Sequence, residues 1–276
     1  KKKFYLNHFF QNMIRQFKKN VFAFNTRKFI LNFLYLNFYK KDDYNLCFNK
    51  INFDRKYLDK TTNIKANSFD YSSSIIIQKT TPNLKKNFKY ALFLEAPTPL
   101  FKGDELIWEG QNEGFTKEKW FPSLRSFFDK LENHLNLKVI VAPHPKVKHE
   151  KFPPYYGGRA VSEQSLVESS YQADLIITHW SAGLSFGVIY NKPIMLITSD
   201  ELIKNQEFVR QQELFSKELG TDIINIDKKI DETKINKILE IDKAKYLEYI
   251  QNYCTTRTDG KRNFQIITDI INNNLT

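Results

Sequence analysis

Residues 173–198 read ADLIITHWSAGLSFGVIYNKPIMLIT. The run DLIITH is aliphatic and β-branched, which suits a strand buried on both faces. Ser181 then opens a short helix through Asn191, and Pro193 starts a second apolar run that ends at Thr198. A strand, a helix and another strand in such close succession make a parallel crossover. The same alternation continues in both directions. Upstream lie the strand YALFLEA (90–96), the helix KEKWFPSLRSFFDKLENHL (117–135), the strand KVIVAP (138–143) and the helix SEQSLVESSYQ (162–172), with Ser162 as its cap. In the first of these helices Trp120, Leu124, Phe127, Phe128 and Leu131 share one face. Downstream come a helix over 199–219, the strand DIINI (222–226) and closing helices over 232–240, 243–254 and 260–273. The pattern predicts an α/β fold with a doubly wound, Rossmann-like parallel sheet over residues 90–276.

Residues 1–89 have another texture. Phe9, Phe10, Ile14, Phe17, Phe29, Ile30, Phe33 and Phe38 recur at helical intervals, so this smaller domain reads as mostly helical. SSSIIIQKT (72–80) reads as a strand, and TTPNLKKN (80–87) as a linker. The net charge of +11 is concentrated here: residues 1–90 carry +14, and the remainder −3. The same third holds 20 of the 41 aromatic residues. A genome rich in A and T, favouring Lys, Asn, Phe, Tyr and Ile codons, accounts for this composition. So does a basic, aromatic face resting on an anionic membrane surface. No nucleic-acid-binding motif accompanies the charge, so no nucleic-acid partner is expected.

Other classes are excluded by the same composition. The chain is 276 residues long and 41% hydrophobic, enough for a large core and too apolar for a disordered chain. Its apolar runs fall short of the roughly 18 residues that a membrane helix requires. Cys47 and Cys254 lie far apart with no metal-ligand spacing around them, which points to a reducing, cytoplasmic setting. The chain opens on Lys1 rather than Met, as a piece of a longer protein would, and no export signal is legible.

In a doubly wound sheet, ligands bind beyond the carboxyl ends of the strands, so the residues following each run are the candidates. After KVIVAP come His144, Pro145 and Lys146, where flanking prolines fix the backbone around an imidazole suited to a phosphate or a sugar hydroxyl. The next loop supplies Gly157 and Gly158, which permit close backbone approach, and Arg159, whose planar fork suits phosphate. After DLIITH stand His179 and Ser181, the latter capping a helix whose first N–H groups suit an anion, with Gly183 and Ser185 in the turn that follows. His179 reads equally as a buried structural imidazole. After the first strand, Glu95 is the better placed of three carboxylates to act as general base, ahead of Asp104 and Glu105. No DxD-like metal motif stands at a strand end, so neither a metal nor a cofactor is expected.

The runs VIVAPHPK (139–146), YYGGRAV (155–161) and residues 173–198 together resemble the C-terminal nucleotide-binding half of bacterial GT-B glycosyltransferases that build capsule and lipopolysaccharide. The resemblance covers Tyr90 to Ser199 and is nearest to the group with an His-Pro motif followed by a Ser/Thr motif, which includes polysialyl- and Kdo transferases. It implies that His144 and Ser181 contact the nucleotide phosphate of a donor, with a CMP-sugar favoured. It also implies a glycan or lipid-linked acceptor, while the basic N-terminal region suggests a cytoplasmic protein peripheral at the inner face of the cytoplasmic membrane. Trp180 and Ala182 flank Ser181 where relatives often carry paired hydroxyls, leaving one hydroxyl. The 89 residues before the sheet are too few for a second Rossmann domain of about 150 residues, so the catalytic base usually found there is not assigned. Rival readings are polyol-phosphate transfer from a CDP-alcohol and a catalytically silent nucleotide-sugar-binding subunit.

Overall fold

The computed structural model describes residues 44–49, 62–80, 88–100, 116–147, 154–229 and 231–275. The helices expected between Phe4 and Lys40, and with them most of the basic face, lie outside the described residues. The chain divides into two compact units, residues 1–45 with 57–62 and residues 46–56 with 63–276. Among the described residues no helix is long and apolar enough to cross a membrane.

The larger unit is built on strands β3 (Tyr90–Leu94), β4 (Lys138–Ala142), β5 (Leu175–Thr178), β6 (Ile194–Thr198) and β7 (Ile223–Asn225). They lie in the order β4-β3-β5-β6-β7, and every pair is parallel. Strands β1 (Tyr44–Cys47) and β2 (Thr62–Lys65) form a two-stranded sheet of their own. In the parallel sheet the chain runs outward from β3 to β4, then returns to β5 on the other side of β3. The winding therefore reverses between β3 and β5, which is where doubly wound sheets open a crevice for ligands. Leu94 stands opposite Ala142 on one side and Thr178 on the other, so the three strands end at one level.

Alternation along each strand loads both faces of the sheet. Ala91, Phe93, Val139, Val141 and Ile177 face helix α2 (Lys117–Leu135), whose Trp120, Phe121, Leu124, Phe127, Phe128 and Leu131 fill one core. Tyr90, Leu92, Leu94 and Ile176 face a second core shared with α3 (Leu166–Gln172), α4 (Leu184–Ile189) and α7 (Lys243–Tyr249). Helix α4 lies hard against the sheet because Gly187 has no side chain: a Cβ there would stand 3.0 Å from Ile176 and 3.1 Å from Ile194.

Three sequence expectations are corrected. SSSIIIQKT is not a strand but part of helix α1 (Phe69–Thr80). The Ser68 hydroxyl accepts the Tyr71 N–H at 3.1 Å, Asp70 sits in the first turn, and burial of Ile75 and Ile77 outweighs the strand preference of isoleucine. Helix α1 packs on α3 and α4. Ser162 does not cap α3. That role belongs to Ser165, whose side chain and Glu168 form a reciprocal capping box, while the Ser162 hydroxyl meets that of Ser169 at 2.6 Å. The long helix expected from residue 199 is broken at Asn205, which caps α5 (Gln206–Leu219) after a 3₁₀ turn. Two further helices, α6 (Glu232–Ile238) and α8 (Asn263–Leu275), and a π-helical segment at Ile250–Cys254 directly after α7 complete the described elements.

The segment leading into α1 is sewn to the segment leading into α8. The Asn263 side chain spans the Asn67 backbone, accepting the Asn67 N–H at Oδ1 at 3.0 Å and donating from Nδ2 to Asn67 O at 2.9 Å. The Asn67 side chain also donates to Lys261 O at 2.7 Å and accepts from the Thr255 hydroxyl at 2.6 Å. Asn67→Ala strands a buried hydroxyl and a carbonyl, and is expected to cost about 2–3 kcal/mol of stability, read as a lower urea midpoint at unchanged slope.

Candidate functional site

The site is assembled at the carboxyl ends of β3, β4 and β5. Glu95 follows β3 directly and is 4% exposed. Its Oε2 accepts the backbone N–H of His144 at 2.7 Å, and its Oε1 accepts the Tyr156 hydroxyl at 2.5 Å. Burial, reinforced by the adjacent Glu95 carboxylate, holds the Tyr156 phenol far above its usual range, so it stays a donor. The loop bearing Tyr156 reaches the sheet because residues 160–162 run parallel to β4: Val141 N–H donates to Ala160 O and Ser162 N–H to Val141 O.

His144 is half-buried between two exposed prolines, and Lys146 is exposed. Within this loop Val147 N–H donates to the His144 carbonyl at 2.9 Å, and Lys146 N–H donates to His144 Nδ1 at 3.2 Å. A neutral imidazole accepting at Nδ1 carries its proton on Nε2. Ser181 and Gly183 share one tight turn, in which Ser181 Oγ accepts the Gly183 N–H at 3.2 Å and keeps its own proton to give. Helix α4 beyond that turn is only six residues long and starts from Gly183, so Ser181 does not cap it as the sequence suggests: the glycine-containing turn is interposed.

His179 is a core group. Its ring stacks on Phe93 at 6.1 Å and meets Trp120 at 4.9 Å. Burial pushes its pKa down to about 3, opposed in part by a hydrogen bond with the Thr98 backbone. The neighbouring Trp180 is 46% exposed and leans on Phe208 at 5.8 Å. A buried glutamine fixes the start of this loop: Gln212 Nε2 donates to His179 O at 2.9 Å and to Ile197 O at 2.7 Å. Gln212→Leu leaves both carbonyls short of a donor, and about 2–4 kcal/mol of destabilisation is expected in chemical denaturation.

Two expected donor contacts have other employment. The guanidinium of Arg159 is turned into the protein, 9% exposed, with Nη2 at 2.6 Å from both Asp129 and Glu132 on α2. Its ring-facing side lies over Phe128 at 5.2 Å. The planar fork thus ties its own loop to α2 instead of facing a ligand. Ser185 points to α7, with Oγ 3.2 Å from the Tyr249 hydroxyl. Gly157 and Gly158 are exposed and adopt positive φ of 65° and 77°, which the turn between Tyr156 and Arg159 requires. Tyr156 and Gln212, the residues that hold the site in shape, were not among the sequence candidates. Among the described residues no group of three or more His, Cys, Asp or Glu side chains is placed to hold a metal ion.

No family model and no curated protein matches the sequence. Among solved structures, the wall teichoic acid polymerase TagF is similar with a TM-score of 0.50 and 16% identity, over 84% of this chain and 58% of that one. A variant of the same polymerase gives 0.51 at the same identity and coverage. The glycosyltransferase SnogD from Streptomyces nogalater gives 0.36 at 10% identity, over 70% of this chain and 52% of that one. The chain has a GT-B-like fold. It spans little more than half the length of these structures, and they do not single out the polysialyl- and Kdo-transferase group.

Proposed function

We propose that this chain is the donor-binding part of a glycosyltransferase that moves a sugar from a nucleotide-activated donor, a CMP-sugar being favoured, to a bacterial surface glycan or lipid-linked acceptor. The observation that carries this reading is the position of His144: it stands at the end of β4, one strand from the reversal in winding, with Nδ1 accepting from Lys146 N–H and the proton on Nε2. In the transfer, the bond between the anomeric carbon and the nucleotide phosphate breaks while the acceptor oxygen bonds to that carbon and its proton passes to solvent or to the departing phosphate. Negative charge grows on the departing phosphate. His144 Nε2–H and the Ser181 hydroxyl are donors suited to that charge, and Lys146 adds a cation beside them. Transfer without a metal agrees with the lack of a DxD-like motif at any strand end, and activity is expected to survive a chelator. A cytoplasmic enzyme resting on the inner membrane face would also give the basic N-terminal third a role.

A thermal-shift panel of CMP, CDP, UDP, GDP and their sugar conjugates tests the reading, since a ligand that binds only the folded state raises its stability. Stabilisation by one nucleotide family is expected. His144→Ala and Ser181→Ala are each expected to weaken that nucleotide about tenfold without unfolding the protein. No shift with any nucleotide, or unchanged affinity in both variants, overturns the assignment. The likeness to a teichoic acid polymerase favours a second reading, polyol-phosphate transfer from a CDP-alcohol. Product analysis with labelled CMP-sugar and CDP-alcohol donors separates the two.

A further inference from the structure

We propose that Glu95 is a positioning residue for His144 and not the base that deprotonates the acceptor; the inference rests on the donor-site reading above. Both carboxylate oxygens are engaged, one by the His144 backbone N–H at 2.7 Å and one by the Tyr156 hydroxyl at 2.5 Å. The Glu95 N–H in turn donates to Ala142 O at 3.1 Å, at the end of β4. One buried side chain therefore binds three segments together: the end of β3, the His-Pro loop, and the loop of Tyr155 to Gly158. Tyr156 is itself immobilised, edge-on to Phe121 at 5.4 Å and tilted against Phe93 at 5.9 Å.

The imidazole is held from below by this clasp. Glu95 fixes the His144 backbone, and the turn that follows places Lys146 N–H on Nδ1, which leaves the proton on Nε2. A general base must instead offer a lone pair within hydrogen-bond reach of the acceptor hydroxyl. At 4% exposure, and spanned by two donors, the Glu95 carboxyl gives such a hydroxyl no approach.

Glutamine separates the two roles. In Glu95→Gln the amide oxygen can accept the His144 N–H while the amide nitrogen donates to the Tyr156 oxygen, because a tyrosine hydroxyl can reverse its sense. The clasp survives and any base is lost. Glu95→Ala removes both, and Tyr156→Phe releases only one arm. The experiment compares these variants with the parent full chain by three readouts. Nitrogen NMR of labelled histidine, with the His144 signal identified by its loss in His144→Ala, reports the tautomer. Titration with CMP and CDP reports affinity, and labelled-donor assays report transfer.

Glu95→Gln is expected to rescue all three, keeping the Nε2-protonated signature with affinity and rate within about threefold of the parent. Glu95→Ala is expected to average the His144 tautomers and to weaken nucleotide binding roughly tenfold or more, as misplacement of a reacting group does. Tyr156→Phe should fall between them. A loss of about 100-fold or more in rate with affinity retained in Glu95→Gln would make Glu95 the base and overturn the proposal. An unaltered His144 signature in both Glu95→Ala and Tyr156→Phe would also overturn it. Should neither nucleotide bind the parent chain, the donor-site reading falls, and the His144 signature across the variants still decides the clasp.

Discussion

Stability is expected to fall steeply as the pH drops from about 6.5 towards 3, by up to roughly 4–5 kcal/mol from one residue, His179. In the unfolded chain this imidazole takes a proton near pH 6.5, whereas burial against Phe93 and Trp120 lowers its pKa in the folded protein to about 3. Between those values the unfolded state binds a proton that the folded state refuses. The stabilisation is therefore complete above about pH 6.5 and is lost progressively below it, at up to about 1.4 kcal/mol per pH unit. Urea midpoints between pH 4 and 8 test this. His179→Gln is expected to flatten the profile in that window; a profile as steep as the parent's would remove His179 as its cause.

Phe93→Ala is expected to cost about 3–5 kcal/mol of stability, because the ring is fully buried and leaves a cavity that helix α2 cannot collapse into. The same ring meets Phe128 edge-on at 5.3 Å and touches both Tyr156 and His179. Its loss should therefore loosen the supports of the donor site as well as the core. Phe127→Ala is the control, since Phe127 lies in the same core, 6.0 Å from Phe128. Similar stability losses are expected for the two, with reduced nucleotide affinity in Phe93→Ala alone. Equal affinity losses in both would show a general softening instead.

The strand ends were legible in the sequence because a parallel sheet requires apolar runs, and a run such as Ile194–Thr198 must finish where its chain turns to water. Glu95, His144 and Ser181 were found by that rule. What they do locally was not legible, since it depends on partners brought in from afar. Nothing near Arg159 in sequence announces that Asp129 and Glu132, three apart on one helix, will claim its guanidinium. Tyr156 completes the Glu95 clasp, yet in sequence it is one tyrosine beside a glycine pair and carries no local signal of that role. Two local signals do stand in the sequence: Ser165 with Glu168 spells a capping box, and Ser68 with Asp70 announces α1.

The pair of bonds from the Asn263 side chain to the Asn67 backbone also dictates an order of events during synthesis. Its partners are 196 positions apart, so a ribosome adding about 5–20 residues per second needs on the order of ten seconds or more to deliver the second half of the lock. The other long-range partners of Asn67 and Ser68, namely Cys254, Thr255 and Lys261, come only shortly before Asn263, whereas β3 to β6 are made much earlier. The segment entering α1 is thus among the last parts of this unit to be fixed, although it is among the first to be made.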